Sequence, residues 1–270
     1  MGHKSIIGHN YDGLIPFILF EIGESVMFNL FKRQGHTNLE WMNTDVHSHL
    51  LPGIDDGVPN ASSGVHLIKL LMDLGLRQFI ITPHVYDEVY PNSPETIDMA
   101  HEKLYMEMER SGLEDVYTHS GGEYMLGERF GNLLENNRVR AFPTGHLLVE
   151  LPWLAEPPQL EQTLFRILSK GYIPIMAHPE RYTFYSQQYK MYHRLKDIGC
   201  LLQMNLLAPT GYYGRDVSKS AEYLRKNNMY DFVGTDLHNE RQFGRLAKYV
   251  KSGNAYKDLK NLNLKNKIFL

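Results

Sequence analysis

The chain has one cysteine, Cys200, among its 270 residues. One cysteine permits no disulfide bond within the chain, and structural disulfides belong mainly to oxidising compartments. Cys200 lies in the apolar run Gly199–Leu202, where we expect it to pack as a small buried hydrophobic residue. The cysteine content therefore gives no sign of secretion, and we expect the protein to be cytoplasmic.

Strong net charge and basic clusters are also lacking. The formal net charge is -3 at pH 7, and no run of lysine and arginine is of the kind that binds phosphate backbones. We therefore expect no nucleic acid partner. The chain is long enough to bury the core of one large α/β domain.

The chain also lacks a hydrophobic run that could cross a membrane. Residues 14–20 are apolar, but Glu21 and Glu24 follow them directly. A membrane-spanning helix needs about 20 apolar residues, and the flanks do not fit a signal peptide. We expect no membrane insertion, and we expect residues 1–40 to be an N-terminal extension of a core domain at residues 41–270. Because Met27 is a plausible second start, deletion of residues 1–26 should leave folding and activity intact.

From residue 43 onward, short apolar runs alternate with longer amphipathic stretches. Apolar residues recur at three- and four-residue spacing in the stretches, which predicts helices. Seven strand–helix units without a break in composition predict a parallel sheet in a single domain. The predicted strands are Thr44–His47, Gln78–Thr82, Val116–Ser120, Leu147–Leu151, Ile173–Ala177, Leu201–Asn205 and Asp231–Thr235, and the predicted helices are Ser62–Leu74, Pro94–Arg110, Gln159–Ser169, Gln187–Asp197 and Val217–Lys226.

Every predicted strand ends in a residue that can bind a metal or form a hydrogen bond. Active sites of α/β folds lie at the carboxyl ends of the strands. An open sheet would spread these residues along one edge, whereas a barrel brings them around one mouth. We therefore predict a closed or nearly closed, TIM-like (β/α)7 barrel. In chain order the residues are His47 with His49, His84, Glu123, Glu150, His178, Asn205, and Asp236 with His238.

The first of these groups is the most informative. Side chains alternate along a strand, so His47 and His49 point to the same side, and paired imidazoles suit a divalent transition metal. Asp55 and Asp56 add carboxylates on the following turn. Carboxylates that converge without cations would repel one another, and few lysines or arginines lie near these motifs. The residues therefore predict bound metal, with ligands enough for two or three ions.

Six short segments resemble the PHP (polymerase and histidinol phosphatase) superfamily. The resemblance is closest to its bacterial metal-dependent protein-tyrosine phosphatases, which are linked to capsule and exopolysaccharide synthesis. The segments follow the family's order between residues 43 and 240. They are DVHSHLLPGIDDG (Asp45–Gly57), TPH (Thr82–His84), GE (Gly122–Glu123), EL (Glu150–Leu151), AHPER (Ala177–Arg181) and TDLH (Thr235–His238).

The resemblance implies a distorted (β/α)7 barrel, the PHP fold, with two or three divalent ions. These are commonly manganese, with iron and zinc as alternatives. It also implies a phosphotyrosine protein as partner, such as the tyrosine-rich tail of a bacterial tyrosine kinase. The implied catalytic residues are Arg181 on the phosphate, Asp56, His238 and Arg241, with Arg245 as an alternative to Arg241. The implied metal ligands are His47, His49, Asp56, His84, Glu123, Glu150, His178, Asp236 and His238.

We therefore expect hydrolysis of a phosphomonoester by a hydroxide that bridges two ions, because bound cations lower the pKa of water from about 15.7 toward about 7. A phenol with a pKa near 10 leaves more readily than an alkoxide. The lone cysteine is not part of a Cys-x5-Arg loop, which excludes a cysteine-nucleophile phosphatase. Tyrosines that follow strand ends are candidates to line the mouth, namely Tyr86, Tyr124, Tyr182 and Tyr185.

Three other functions remain open on the sequence. A small-molecule phosphatase of the histidinol-phosphatase type would use the same metals, but long loops should close its mouth, and only residues 84–94 and 206–217 form such loops here. A metal-dependent amidohydrolase also begins with His-x-His, but usually bridges its ions with a lysine on the fourth strand, where this chain has Glu150. A non-catalytic binding domain would lack ligands, and none is missing.

Overall fold

The computed structural model describes residues 36–86 and 89–269, so the prediction for residues 1–26 lies outside the described residues. Contacts group residues 37–270 into one unit. Leu39, near the end of the predicted extension, is fully buried, and its backbone N–H donates a hydrogen bond of 2.6 Å to the carbonyl of Leu74. The chain therefore packs on the core before the first strand begins.

Each of the seven predicted strand positions contains a strand, and two short strands that were not predicted follow the second and third positions, at residues 84–85 and 123–125. Pro83 separates β2 (Gln78–Ile81) from β3 (His84–Val85), because proline has no N–H to donate to a neighbouring strand. Gly121 and Gly122 separate β4 (Tyr117–Ser120) from β5 (Glu123–Met125), and a Cβ on Gly121 would lie 2.8 Å from the ring of Phe142. The strands are β1 Thr44–Asp45, β2 Gln78–Ile81, β3 His84–Val85, β4 Tyr117–Ser120, β5 Glu123–Met125, β6 His146–Glu150, β7 Ile173–Ala177, β8 Leu201–Asn205 and β9 Phe232–Gly234.

The strands form two parallel sheets whose order follows the chain, β1-β2-β4 and β3-β5-β6-β7-β8-β9. A parallel bridge joins Ser48 to Leu237, and the N–H of Asp236 donates to the carbonyl of His47 at 2.7 Å. The chain after β1 thus meets the chain after β9, and the sheet curls into a half-barrel. The predicted α/β class and curled parallel sheet are confirmed, whereas the simple count of seven strands is not.

The helices lie between the strands, and the five predicted ones agree with the structure within three residues. Three helices in the described part of the chain begin with a side-chain cap: Asn60, Ser93 and Asn239 accept hydrogen bonds from the N–H groups of Ser63, Thr96 and Gln242, respectively. No helix in the described part of the chain is long and apolar enough to span a membrane. The helices are α1 Ala61–Asp73, α2 Pro94–Arg110, α3 Glu128–Glu135, α4 Leu160–Ser169, α5 Lys190–Asp197, α6 Arg215–Lys226, α7 Glu240–Lys251 and α8 Asn254–Leu259, of which α3, α7 and α8 were not predicted.

Two apolar clusters support the strand ends. The larger one contains the buried faces of the helices together with strand residues such as Leu147 and Val149. The smaller one contains Leu148 and side chains from other strands. Because Leu148 and Glu150 lie on the same face of β6, the smaller cluster lies beneath the polar residues at the carboxyl ends. The polar site is therefore built on a packed apolar floor.

Gly234 gives a test of the closure between β9 and the chain after β1. A Cβ at this position would lie 2.5 Å from the Cβ of His47 and 2.9 Å from the side-chain nitrogen of Gln203. We expect Gly234→Ala to lower the free energy of unfolding by about 2 kcal/mol or more, because the packed neighbours must shift. Denaturant unfolding measures this. Gly244→Ala in α7, with no heavy atom within 4 Å of the new Cβ, is the control and should be neutral or stabilising by up to about 1 kcal/mol. Equal stability of the two variants would contradict the close packing at Gly234.

Candidate metal centre

The structure brings all nine predicted metal ligands together at the carboxyl ends of the strands. They form four overlapping groups, and within each group the potential ligand atoms lie within 4.8 Å of one another. The overlap means that single side chains reach more than one candidate ion position. The groups are His47, His49 and Asp236; His47, Glu123 and His178; His84, Glu123 and Glu150; and His49, Asp56, His84 and His238.

Glu123 lies at the centre of the cluster. Its Oε2 is 3.3 Å from Nε2 of His47 and 3.4 Å from Nε2 of His49. The same oxygen is 3.0 Å from Nδ1 of His84, while Oε1 is 3.0 Å from Nε2 of His178. One carboxylate therefore reaches four imidazoles and belongs to two of the candidate ligand groups.

Asp236 closes the cluster on the side of β9. Its Oδ1 is 3.1 Å from Nε2 of His49 and 3.4 Å from Nε2 of His47. Its Oδ2 accepts hydrogen bonds from Asn205 at 2.8 Å and from Arg181 at 2.5 Å. The backbone φ of Asp236 is 51°, in the left-handed region that non-glycine residues rarely adopt. His178 has a φ of 32°, so two of the predicted ligands are held in strained backbone.

Hydrogen bonds on the far side of the imidazoles fix their orientation. Nδ1 of His47 contacts Oε1 of Gln203 at 2.9 Å, and Nδ1 of His49 contacts Oδ2 of Asp55 at 2.8 Å. These contacts leave both Nε2 atoms facing the cluster, as in metal sites where an outer partner orients each histidine. Gln203 was not predicted, although it lies two residues before the strand end at Asn205.

The two adjacent aspartates have different roles in the structure. Asp55 accepts a hydrogen bond from the N–H of Gly57 at 2.9 Å and orients His49. Asp56 is half-exposed, and its Oδ1 lies 3.5 Å from Nε2 of His84 and 3.4 Å from Nε2 of His238. Asp56 is thus the aspartate that faces the cluster, as the resemblance implied.

Burial and mutual attraction shift the pKa values of the clustered side chains. Burial, followed by the charge of Glu123, raises the pKa of Glu150 to about 7. Burial disfavours a charged His84, but the attraction of Glu123 outweighs it and the pKa of His84 rises to about 10. Burial, with the nearby charge of Arg181, lowers the pKa of His178 to about 4, which leaves its imidazole neutral. Protons and metal ions would therefore compete for the same nitrogen and oxygen atoms.

The residues fit a bound metal cluster. Glu123 Oε2 and Glu150 Oε2 are buried and accept no hydrogen bond of good geometry from the described residues. Oxygens of this kind are costly to bury without a partner, and a divalent cation would supply one. A mixture of imidazole and carboxylate donors suits manganese, iron or zinc. The geometry therefore supports the predicted cofactor class without identifying the metal.

Arg181 lies between two aromatic rings at the mouth. Its guanidinium carbon is 4.8 Å from the ring centre of Trp153 and 4.5 Å from that of Tyr213. Stacking on both faces restrains the guanidinium plane. Apart from the Nη1 bond to Asp236, its side chain makes no hydrogen bond within the described residues. The other N–H groups are therefore available for an anionic ligand.

The mouth is a cavity of about 170 Å³ bounded by predicted ligands, Arg181 and an aromatic rim. Tyr86 lines it as predicted, whereas Tyr124, Tyr182 and Tyr185 are buried in the core. Trp153 lines it without having been predicted, although it lies three residues after Glu150, at a strand end. Counting aromatic as well as polar residues at strand ends would have found it.

Arg241 and Arg245 lie outside this mouth. Both line a separate groove beside α7 rather than the cavity that contains Arg181. Neither forms an ion pair within the described structure. The second phosphate-binding arginine therefore remains a prediction that no contact in the structure supports.

Residues 43–266 match the family model described as capsular polysaccharide synthesis, CpsB/CapC. The chain belongs to the CpsB/CapC family. One relative in this family is the tyrosine-protein phosphatase YwqE of Bacillus subtilis (strain 168), with 28% identity over 235 residues, 80% of this chain and 91% of YwqE. Another is the tyrosine-protein phosphatase CpsB of Streptococcus pneumoniae, with 26% identity over 207 residues, 72% of this chain and 82% of CpsB.

The fold also agrees with a solved structure from the CpsB/CapC family. Crystal structures of YwqE from Bacillus subtilis and CpsB from Streptococcus pneumoniae are described as unique metal-dependent tyrosine phosphatases. The match has a TM-score of 0.69 and 24% identity, and it covers 82% of this chain and 96% of the other. The predicted resemblance to capsule-linked tyrosine phosphatases is thereby confirmed.

The cluster gives a prediction for metal binding. Manganese added to metal-free protein at pH 7 should bind at more than one ion per chain and release protons. At this pH, His84 is protonated because its pKa is about 10, and Glu150 is partly protonated because its pKa is about 7. The bound cations displace these protons. Proton release should diminish as the pH rises through about 7, where Glu150 loses its proton, and again through about 10, where His84 loses its own. Calorimetry in two buffers of different ionisation enthalpy measures the protons. Glu123→Gln should lower the number of bound ions, and binding without proton release would contradict the account.

Proposed function

We propose that this chain is a metal-dependent protein-tyrosine phosphatase of capsule or exopolysaccharide synthesis. The observation that carries the proposal is the convergence of nine imidazole and carboxylate ligands on one mouth beside Arg181. The names of its relatives support it. The proposal includes a closed (β/α)7 arrangement, two or three manganese ions, the cytoplasm as location, and the tyrosine-rich tail of a bacterial tyrosine kinase as partner.

Each part of the mouth has a role in this reaction. When bound, the ions would supply a water of lowered pKa and positive charge for the phosphate oxygens. His47, His49, Asp236 and the other convergent side chains would hold them. Arg181 donates hydrogen bonds to the phosphate, and its restrained plane reduces the reorganisation needed as charge develops.

The rim favours an aromatic phosphate ester. Tyr86 and Trp153 flank the cavity and are 38% and 45% exposed, so a phosphotyrosine ring would contact aromatic surface on entering. The leaving phenol has a pKa near 10 and needs little help from an acid.

Hydrogen bonding from His238 lowers the pKa of Asp56 to about 2, so Asp56 is anionic at neutral pH and is available as a ligand.

A comparison of substrates tests the proposed function. We expect the protein with manganese to hydrolyse a phosphotyrosine peptide much faster than a phosphoserine peptide or histidinol phosphate. Chelation should abolish the activity, and manganese should restore it. Phosphate release measures all three substrates. A clear preference for histidinol phosphate would favour the small-molecule phosphatase, and activity that survives complete removal of metal would contradict the proposal.

Arg181→Lys tests the role of the phosphate-binding arginine. Lysine cannot present a planar fork of donors between two rings, so kcat/KM for a phosphotyrosine peptide should fall about 100-fold. This is the usual effect of removing one oriented hydrogen-bond donor that stabilises the charge of the transition state. Arg166→Lys is the matched control, because Arg166 pairs with Glu135 on the surface. Arg181→Lys with the activity of the control would remove Arg181 from the mechanism.

A further inference from the structure

A second groove lies beside the metal mouth. It has a volume of about 610 Å³, larger than the mouth itself. One wall is formed by the loop that contains Tyr212, and the other by α7 with Arg241, Arg245 and Lys248. None of these residues belongs to the candidate metal cluster.

The groove carries unbalanced positive charge. Arg241, Arg245 and Lys248 follow one another at spacings of four and three residues, which places them on one face of α7. All three are exposed, and none makes an ion pair or side-chain hydrogen bond within the described structure. The one acidic residue that lines the groove is Asp258, whose carboxylate accepts a hydrogen bond of 2.8 Å from the hydroxyl of Tyr249. Three cations thus face the groove in a chain whose net charge is -3.

Two tyrosine rings link the groove to the mouth. The ring of Tyr212 contacts that of Tyr213 edge to face, with centroids 4.9 Å apart. Tyr213 in turn stacks on the guanidinium of Arg181 at 4.5 Å. On the other side, Arg241 follows His238, which lines the mouth, by three residues. A ligand anchored at Arg181 therefore needs to extend past one pair of rings to reach the cations.

We propose that this groove binds an acidic segment that flanks the phosphotyrosine of the substrate. The proposal rests on the proposed function. The rise from Arg241 to Lys248 is about 10.5 Å along the helix, which matches about three residues of extended peptide. Exposed cations of this kind attract and retain an acidic segment. They would act on the binding of substrate rather than on the phosphate, which Arg181 contacts.

Peptides that differ only in charge test the proposal. One peptide carries three glutamates directly N-terminal to the phosphotyrosine, and a second carries them directly C-terminal to it. Each is compared with a peptide in which glutamines replace the three glutamates. For one of the two sides, kcat/KM should be about tenfold higher for the glutamate peptide than for the glutamine peptide, because its KM is lower. Several exposed charge contacts together have about this effect. The difference should shrink as salt is added. Equal values for glutamate and glutamine on both sides would overturn the proposal.

Charge-reversed variants locate the effect. Arg245→Glu/Lys248→Glu should lose the preference for the acidic peptide. Lys69→Glu/Lys103→Glu is the matched control, because it changes two exposed helical residues outside the groove by the same charge. Lys248→Glu alone should leave the turnover of p-nitrophenyl phosphate unchanged, since this substrate is too small to reach the groove. A preference retained in the first variant would overturn the proposal.

Two further outcomes separate this proposal from others. Absence of hydrolysis with every substrate would refute the proposed function, and anisotropy of the labelled peptides would then still test whether glutamate binds more tightly than glutamine. Competition by phosphatidylglycerol vesicles, with no dependence on peptide charge, would assign the groove to an anionic membrane surface and overturn the peptide as occupant.

Discussion

Repulsion among buried carboxylates is the constraint on which the rest of the site depends. Glu123, Glu150 and Asp236 are nearly inaccessible to water and lie in one mouth with the half-exposed Asp56. Carboxylates so close together keep their charges only if positive charge is near. Protonated imidazoles provide some of it, and Arg181 provides one permanent charge. Divalent cations would replace those protons and satisfy the carboxylate oxygens that have no hydrogen-bond donor.

The curled sheet makes this concentration of charge possible. Parallel strands that follow one another in chain order direct their carboxyl ends to the same place, and the apolar cluster below them leaves no other side for the polar residues. Asp45 helps to join the first and last strands, because its buried carboxylate accepts hydrogen bonds of 2.9 and 2.5 Å from the N–H and hydroxyl of Thr235. The left-handed backbone at His178 and Asp236 shows that packing overrides local preference at two predicted ligands.

The sequence was sufficient to predict which side chains converge at the mouth, because most of them follow a simple rule of position. A residue at the carboxyl end of a parallel strand lies at the same edge of the sheet as the ends of the other strands. The closeness of Glu123 and Asp236 could therefore be predicted from their positions after strands, although they are far apart in the sequence. Residues placed by loops were harder to predict. Arg241 follows the last ligand closely, yet the turn into α7 directs it to another groove. Tyr182 also follows a strand end, but its ring is buried.

Strand breaks and short helices were also beyond the sequence pattern. The strand predicted at residues 78–82 agrees with β2, but β3 was not predicted, because the two strands pair with different neighbours: β2 pairs with β1 and β4, whereas β3 pairs with β5. The helix α3 has eight residues, too few for its spacing to stand out from its surroundings. Such features are decided by tertiary contacts, which a single sequence does not contain.

Anomalous X-ray scattering from crystals grown with manganese is the most direct test of the central claim. Two or three peaks are expected among the nine convergent side chains, with Glu123 within coordination distance of at least two of them. A mouth without any anomalous peak in excess manganese, with the carboxylates still held together, would show that protons alone balance the charge and would contradict the account.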